Sequence, residues 1–229
     1  MTDSQAEPAK AAPRRSIRSY VVRAGRMTPG QRQALERLWP QYGIDLPPVG
    51  LLDLDRAFGR QAPRTLEIGF GMGDALLALA QAQPQRDFIG VEVYPPGIGR
   101  FLLRVEQLGL GNVRVISADA VQVLERYLPP GSLSQLLVLF PDPWPKKRHH
   151  KRRLINAAFL ALAARALAPG GQLHIATDWA DYAQAIDEAL AASDDFSPEA
   201  TVAGRPTTKY ERRGQRLGHA IREFVYRRR

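Results

Sequence analysis

Apolar and polar positions alternate along residues 64–192 in a regular order of short apolar runs and longer amphipathic segments. Short apolar runs bounded by turn residues predict buried strands, and the longer segments with helical spacing predict helices. The predicted strands cover residues 64–70, 87–93, 112–118, 133–140 and 171–178, and the predicted helices cover 74–83, 96–109, about 120–127, about 151–167 and 181–192. This alternation indicates an α/β fold with a doubly wound, mostly parallel, Rossmann-like sheet.

The two ends of the chain lack this alternation. Residues 28–31 read TPGQ, which has the spacing of a capping box with proline at the first helical position, so a helix is expected from Thr28 to before Pro40. Residues 43–63 are expected to be mostly loop. After residue 195, FSPEATVAG and HAIREFVYR have strand character without a long helix between them. They predict an antiparallel C-terminal edge, which would bring the sheet to seven strands.

These patterns divide the chain into three parts. Residues 1–15 are rich in Ala and Pro and are expected to be a disordered tail. Residues 16–60 form a basic N-terminal arm and a helix, and residues 61–229 form the α/β domain. The sequence predicts neither a membrane span nor a signal peptide, and the absence of cysteine excludes thiolate metal sites and disulfides. We therefore expect a cytoplasmic protein without a metal, as a monomer or homodimer.

Charge is distributed unevenly over the 229 residues. The formal net charge is +9, yet residues 146–153 alone hold six Lys/Arg and no acid. Residues 1–30 hold six Lys/Arg and two acids, and residues 205–229 hold nine Lys/Arg and two acids. Because these three segments together carry more positive charge than the whole chain, the remaining residues are net acidic. An acidic body with basic segments favours a phosphate-binding surface beside a pocket for a cationic ligand. Solvated basic termini remain the simpler interpretation of the two ends.

The turn after the first predicted strand is rich in glycine. Gly69, Gly71 and Gly73 would let the backbone approach a ligand closely at the edge of the sheet where such folds bind ligands. The spacing is G-x-G-x-G rather than the G-x-G-x-x-G of dinucleotide-binding proteins. An ordinary tight turn remains an alternative.

Four acids stand at the carboxyl ends of successive predicted strands: Glu67, Glu92, Asp119 and Asp142. A dinucleotide would bring a pyrophosphate that these carboxylates repel. S-adenosylmethionine is net cationic, and its ribose and adenine can donate hydrogen bonds to carboxylates. The acids therefore favour the methyl donor, although any one of them could instead cap a helix, Asp119 in particular.

Several motifs resemble, in chain order, those of the bacterial tRNA (guanine-N7-)-methyltransferase family. They are LEIGFGMGDAL, FIGVEV, SADA, LFPDPWPKKRHHKRRL, ATDWADYA and TKYERRG. The N-terminal segment RSYVVRAGRMTPGQRQALERLWPQYGI is also similar to theirs. The resemblance covers roughly residues 18–229, and PDPWPKKRHHKRR is its most specific part. It implies a class I methyltransferase that uses S-adenosylmethionine to methylate a guanine of tRNA, usually at position 46 in the variable loop.

The resemblance also implies site residues. The four acids would contact the cofactor, together with the glycines of the turn. The residues implied for substrate binding are Lys146, Asp178, Thr208, Lys209, Tyr210 and Glu211, and those implied for RNA contact are Arg148, His149, His150, Lys151, Arg152 and Arg153. Tyr210 stands where the family commonly has Phe, and the tail is additional.

The chemistry of guanine N7 indicates what the catalytic residue must do. N7 carries a ring lone pair and no proton at neutral pH, so alignment and a favourable field are needed rather than a general base. Asp142 is the predicted catalytic residue, acting either on the positive charge that moves to the purine or on the donors of the guanine Watson–Crick edge. Trp144 could stack on a flipped-out base or simply brace the turn. Methylation of rRNA or protein, or RNA binding without turnover, are the competing functions.

Overall fold

The computed structural model describes residues 18–21, 25–199, 211 and 220–229. Its helices are α1 (Pro29–Tyr42), α2 (Leu54–Phe58), α3 (Asp74–Ala82), α4 (Pro95–Gln107), α5 (Ala120–Gln122), α6 (Ala157–Ala166) and α7 (Ala180–Ala191). Its strands are β1 (Arg64–Ile68), β2 (Asp87–Glu92), β3 (Val113–Ser117), β4 (Leu133–Leu139), β5 (Leu167–Thr177), β6 (Phe196–Pro198) and β7 (Arg222–Arg228). A π-helical turn (Val123–Tyr127) follows α5, and a 3₁₀ helix (Lys147–Arg152) follows β4.

The described strands form one seven-stranded sheet in the order β3-β2-β1-β4-β5-β7-β6. Strands β1 to β5 pair in parallel, and β7 pairs antiparallel with both β5 and β6. The predicted fold, including the antiparallel C-terminal edge, is thus confirmed. The strand order reverses between β1 and β4, and the crevice beyond the carboxyl ends of those two strands is where open α/β sheets bind ligands.

Two apolar clusters cover the two faces of the sheet. One packs α1, α3 and α4 against it around Phe88 and Phe101, and the other packs α6 and α7 against it around Phe159 and Tyr182. The central strands β1 and β2 are buried along almost their whole length, as expected of parallel strands with helices on both faces. This rigid double-sided packing fixes the strand ends that carry the predicted site.

The N-terminal helix begins as predicted but extends further. Thr28 and Gln31 form both hydrogen bonds of the capping box. The helix then continues through Pro40 to Tyr42, so the expected end before Pro40 is wrong. Proline removes one helical hydrogen bond, but the burial of Tyr42 in the core keeps the last turn in place. The predicted loop 43–63 also contains the short helix α2, which Asp53 caps by accepting from the Arg56 N–H.

The segment after β4 differs most from the sequence prediction. The helix expected from about residue 151 begins only at Ala157, with Asn156 as its N-cap. Residues 153–155 lie outside any helix; Arg153, Leu154 and Ile155 are buried, and the Ile155 N–H donates to the Tyr182 hydroxyl at 2.9 Å. The cationic residues therefore lie on a separate 3₁₀ helix rather than on the first turn of α6.

Candidate active site at the carboxyl edge of the sheet

The glycine turn (residues 69–73) joins β1 to α3 in a backbone conformation that requires glycine. Gly69, Gly71 and Gly73 have φ values of 70°, 59° and 76°, in the left-handed region that other residues enter only with strain. A Cβ atom at Gly69 would meet nothing within 4 Å, so this part of the turn faces open space. A Cβ atom at Gly97 in α4 would lie 2.4 Å from the Gly71 carbonyl oxygen. The backbone of the turn therefore packs closely against α4 at Gly71 and borders open space at Gly69.

Glu92, the last residue of β2, holds this turn in place. One carboxylate oxygen accepts from the Gly71 N–H at 2.8 Å, and the other accepts from the N–H groups of Val93 and Tyr94 at 2.6 and 3.1 Å. The side chain is 9% exposed, so these charge-assisted bonds form away from bulk water. Glu92 thus connects the glycine turn with the turn after β2, across the mouth of the crevice.

The structure brings the four predicted acids to one edge of the sheet. Glu67 lies one residue before the end of β1 and is 4% exposed. Asp119 follows β3, and one of its oxygens accepts from the Val121 N–H at 2.9 Å, which caps α5. Asp142 follows β4 and is exposed. Because β3, β2, β1 and β4 are neighbours and parallel, their carboxyl ends form one continuous acidic rim.

The turn that carries Asp142 has an unusual backbone. Phe140 and Trp144 both have positive φ, at 55° and 46°, although neither is glycine. Such conformations cost of the order of 1–3 kcal/mol each and persist only where surrounding contacts impose them. The Phe140 N–H donates to the Ala176 carbonyl of β5 at 2.8 Å, which fixes the start of the turn. Asp178, a predicted substrate-binding residue, follows β5 and is half-buried at the same edge.

Trp144 is packed between two other parts of the chain. Its indole N–H donates to the Ser19 carbonyl at 3.0 Å, and the guanidinium of Arg152 lies 4.0 Å from the centroid of its ring. Arg152 itself donates to the carbonyls of Arg18 and Tyr20 at 3.0 and 3.1 Å. The arm therefore docks on the site through three consecutive carbonyls, and these contacts support the bracing role of Trp144 over base stacking.

This docking of the arm was not predicted from the sequence. No sequence signal could have revealed it, because the contacts are backbone carbonyls of residues 18–20 and carry no side-chain pattern. Residues 18–20 also line a cavity of about 510 Å³, together with apolar and cationic side chains from other parts of the chain. Its lining includes Tyr20, Asp119, Arg126, Lys151, Asn156 and Phe159.

The basic segment (residues 146–153) divides into outward and inward side chains. Lys146, Lys147, Arg148 and Lys151 are exposed, whereas Arg153 is only 8% exposed. Because α6 starts only at Ala157, these cations do not lie on the first turn of that helix. The segment nevertheless presents exposed cations directly after the Asp142 turn.

The two histidines of the basic segment are half-buried. Partial desolvation, and then the charges of Arg148, Arg152 and neighbouring lysines, hold the pKa of His149 below its ordinary value. His150 lies within 3.7 Å of the Asp181 carboxylate and 3.2 Å of the Arg153 guanidinium.

The remaining predicted substrate residues are only partly covered. Thr208, Lys209 and Tyr210 lie outside the described residues, and Glu211 is described as half-buried. Among the residues that the structure does describe, no cluster of His, Asp or Glu has metal-ligand geometry. Within the same ranges, every helix is too short or too polar to cross a membrane.

Comparisons with known proteins assign the chain to a family. Residues 61–224 match the family model described as "Putative methyltransferase". The tRNA (guanine-N(7)-)-methyltransferase of Halorhodospira halophila is 54% identical over 220 residues, which cover 93% of this chain and 95% of that protein. The enzyme of the same name from Pseudomonas aeruginosa PAO1 is 48% identical over 233 residues, which cover 99% and 95%. The chain belongs to the tRNA (guanine-N7-)-methyltransferase family. The predicted resemblance is confirmed.

Solved structures agree on the fold. The 16S rRNA methyltransferase KamB superposes with a TM-score of 0.56 at 15% identity, covering 82% of this chain and 97% of that one. TrmN from Thermus thermophilus gives a TM-score of 0.55 at 20% identity, covering 77% of this chain and 47% of that one. At such low identity the likeness concerns the fold alone, which is that of class I methyltransferases.

Proposed function

We propose that this chain transfers a methyl group from S-adenosylmethionine to N7 of a guanine in tRNA, at position 46 of the variable loop. The arrangement that carries the proposal is the Asp142 turn at the carboxyl end of β4, with an acidic rim on one side and exposed cations on the other. The family supports tRNA and guanine N7, because its members with about 50% identity carry that name over most of their length. Position 46 rests on the motif resemblance.

The residues at the edge of the sheet fit the methyl donor. The open side of Gly69 leaves room for a ligand against the backbone, and the rim of Glu67, Glu92, Asp119 and Asp142 suits a molecule that carries a sulfonium and an ammonium. Carboxylate oxygens at this rim can also accept from ribose hydroxyls. We assign these acids and the glycine turn to cofactor binding. When bound there, the donor supplies an electrophilic methyl group.

We assign Asp142 and Asp178 to the guanine. Both follow neighbouring parallel strands, β4 and β5, so their carboxylates lie at the same part of the edge. A carboxylate near the accepting ring stabilises the positive charge that the purine gains as its N7 lone pair forms the new bond. The same carboxylates can accept from the N1–H and N2–H groups of guanine and orient the base. No proton has to leave N7, so this site needs no general base.

The exposed part of the basic segment is proposed to hold the RNA. Lys146, Lys147, Arg148 and Lys151 are exposed directly after the Asp142 turn, so phosphates bound there would lie beside the transfer site. Such contacts release counterions, and the affinity should fall steeply with salt. We retain Thr208, Lys209, Tyr210 and Glu211 as substrate-binding residues on the strength of the motif resemblance.

The test is methyl transfer to unmodified tRNA. Purified protein is incubated with a tRNA transcript and donor labelled in the methyl group, and the product is mapped by chain cleavage at 7-methylguanine. We expect one labelled 7-methylguanine, at position 46. In parallel incubations with ribosomal RNA or protein, label in those substrates but not in tRNA would support the competing enzyme functions. Binding of tRNA without label would support an RNA-binding protein without turnover.

A further inference from the structure

Arg153 differs from the other cations of the basic segment because its side chain points inward. It is 8% exposed, whereas Lys146, Lys147 and Arg148 are exposed. Burying a guanidinium costs several kcal/mol unless acceptors and a counterion surround it. A side chain in this position would have to leave its buried contacts before it could reach a phosphate.

The contacts of Arg153 join two elements of the active-site edge. Its Nε donates to the Pro143 carbonyl at 2.9 Å, one residue after Asp142, and Nη2 donates to the Asp181 carboxylate in the first turn of α7. The guanidinium also lies 4.8 Å from the ring centroid of Tyr182, which is fully buried. Arg153 therefore connects the Asp142 turn to α7 and to the core beneath it.

The Asp142 turn needs support of this kind. Trp144 is held at a positive φ of 46°, and the prolines at 143 and 145 have no N–H with which the turn could form hydrogen bonds of its own. A buried donor from outside the turn, which an ion pair with Asp181 holds in place, compensates for both features. The planar fork of arginine suits this task, because it can donate in two directions at once.

We propose that Arg153 is a positioning residue for methyl transfer, which holds the Pro143 carbonyl and so presents Asp142 to the reacting groups, and that it does not contact the RNA. This replaces the sequence-based interpretation of Arg153 as an RNA contact. The inference rests on the proposed function, because it assumes that Asp142 acts in the transfer.

The experiment compares Arg153→Lys with Arg100→Lys, a matched change at an exposed arginine of α4. Lysine keeps the charge but cannot donate to the Pro143 carbonyl and to Asp181 with a rigid fork. We expect kcat to fall about tenfold or more in Arg153→Lys, a loss that corresponds to about 1.4 kcal/mol or more. The dissociation constant for tRNA and its salt dependence should stay at wild-type values, and Arg100→Lys should match the wild type throughout.

A second variant covers the case in which Arg153→Lys does not fold. Asp181→Asn removes the counterion at a side chain that is 64% exposed, so the fold should tolerate it. We expect the same pattern in weaker form, a lower kcat with an unchanged salt slope. When both single variants fold, their effects on kcat should be non-additive, because both act through one contact network.

Three results would overturn the inference while leaving the proposed function intact. The first is a shallower salt dependence of tRNA affinity in Arg153→Lys. The second is a lower melting temperature of Arg153→Lys with an unchanged kcat of the folded protein. The third is a wild-type kcat in Asp181→Asn. If the proposed function itself is wrong, the wild-type protein will not methylate tRNA at all. The two negative outcomes can therefore be distinguished.

Discussion

The hydrogen bonds of Glu92 give the sharpest quantitative prediction. Its carboxylate accepts from three backbone N–H groups, those of Gly71, Val93 and Tyr94, and so ties the glycine turn to the end of β2. Glu92→Gln replaces one carboxylate oxygen by an amide NH₂. If the amide oxygen keeps the two bonds to Val93 and Tyr94, the NH₂ group faces the N–H of Gly71, donor against donor.

The cost follows from the number and type of hydrogen bonds that the substitution removes. Leaving one part-buried N–H without an acceptor costs about 1–3 kcal/mol, and the two remaining bonds lose their charge assistance. Water can reach Gly71 in part, so we expect a loss of about 2 kcal/mol in the free energy of unfolding. For a chain of this size that corresponds to a fall in melting temperature of about 4–8 °C. The displaced turn and the missing charge should also weaken donor binding by about tenfold or more.

The assay is thermal unfolding together with calorimetric titration of S-adenosylmethionine. Glu36→Gln, at an exposed position of α1, is the matched control and should leave both values unchanged. Glu92→Asp keeps the charge but is one methylene shorter, so it should lose the Gly71 bond and resemble Glu92→Gln in stability. A melting temperature of Glu92→Gln within about 1 °C of the control would refute the claim that this carboxylate holds the glycine turn.

Three further predictions concern the site and its support. Asp142→Ala should abolish turnover while much of the tRNA affinity remains, as measured by single-turnover methylation and filter binding; an unchanged rate would remove Asp142 from the mechanism. Joint replacement of Lys147, Arg148 and Lys151 by Gln should weaken tRNA binding. The slope of log affinity against log salt concentration should become shallower by about 0.7–0.9 for each phosphate that is no longer bound. An unaltered slope would place the RNA elsewhere. Burial raises the pKa of the Tyr182 hydroxyl to about 12, above its value of about 10 in the unfolded chain. As the pH rises, the unfolded state therefore loses this proton before the folded state does. The free energy of unfolding should fall by up to about 2 kcal/mol between pH 10 and pH 12. Tyr182→Phe should lack this pH-dependent component in denaturant titrations, and an identical pH profile would contradict the assignment.

The sheet and its acidic rim could be predicted because each depends on local pattern. Apolar runs of strand length alternate with helical segments, and an acid ends each of four successive strands, so the topology follows from rules for parallel sheets. The capping box at Thr28 is equally local, since both of its hydrogen bonds lie within four residues. At these positions the structure depends on residues that lie close together in the sequence.

The basic segment could not be predicted in detail because distant residues decide its conformation. Arg153 turns inward to meet Asp181 and Tyr182, which lie 28 and 29 residues further along the chain. These contacts hold residues 153–155 outside a helix, and α6 begins only at Ala157, although the sequence pattern predicts a helix from about residue 151. A sequence pattern gives the charge of this segment but not the direction in which each side chain points.

Incubation with a tRNA that carries 7-deazaguanine at position 46 shows directly whether N7 accepts the methyl group. This base keeps the Watson–Crick edge and the shape of guanine but has carbon in place of N7. The account predicts wild-type binding of the substituted tRNA and no methyl transfer to it, while the unsubstituted transcript gains one methyl group. Equal methylation of the two transcripts would show that the accepting atom lies elsewhere, and the proposed function would then be wrong.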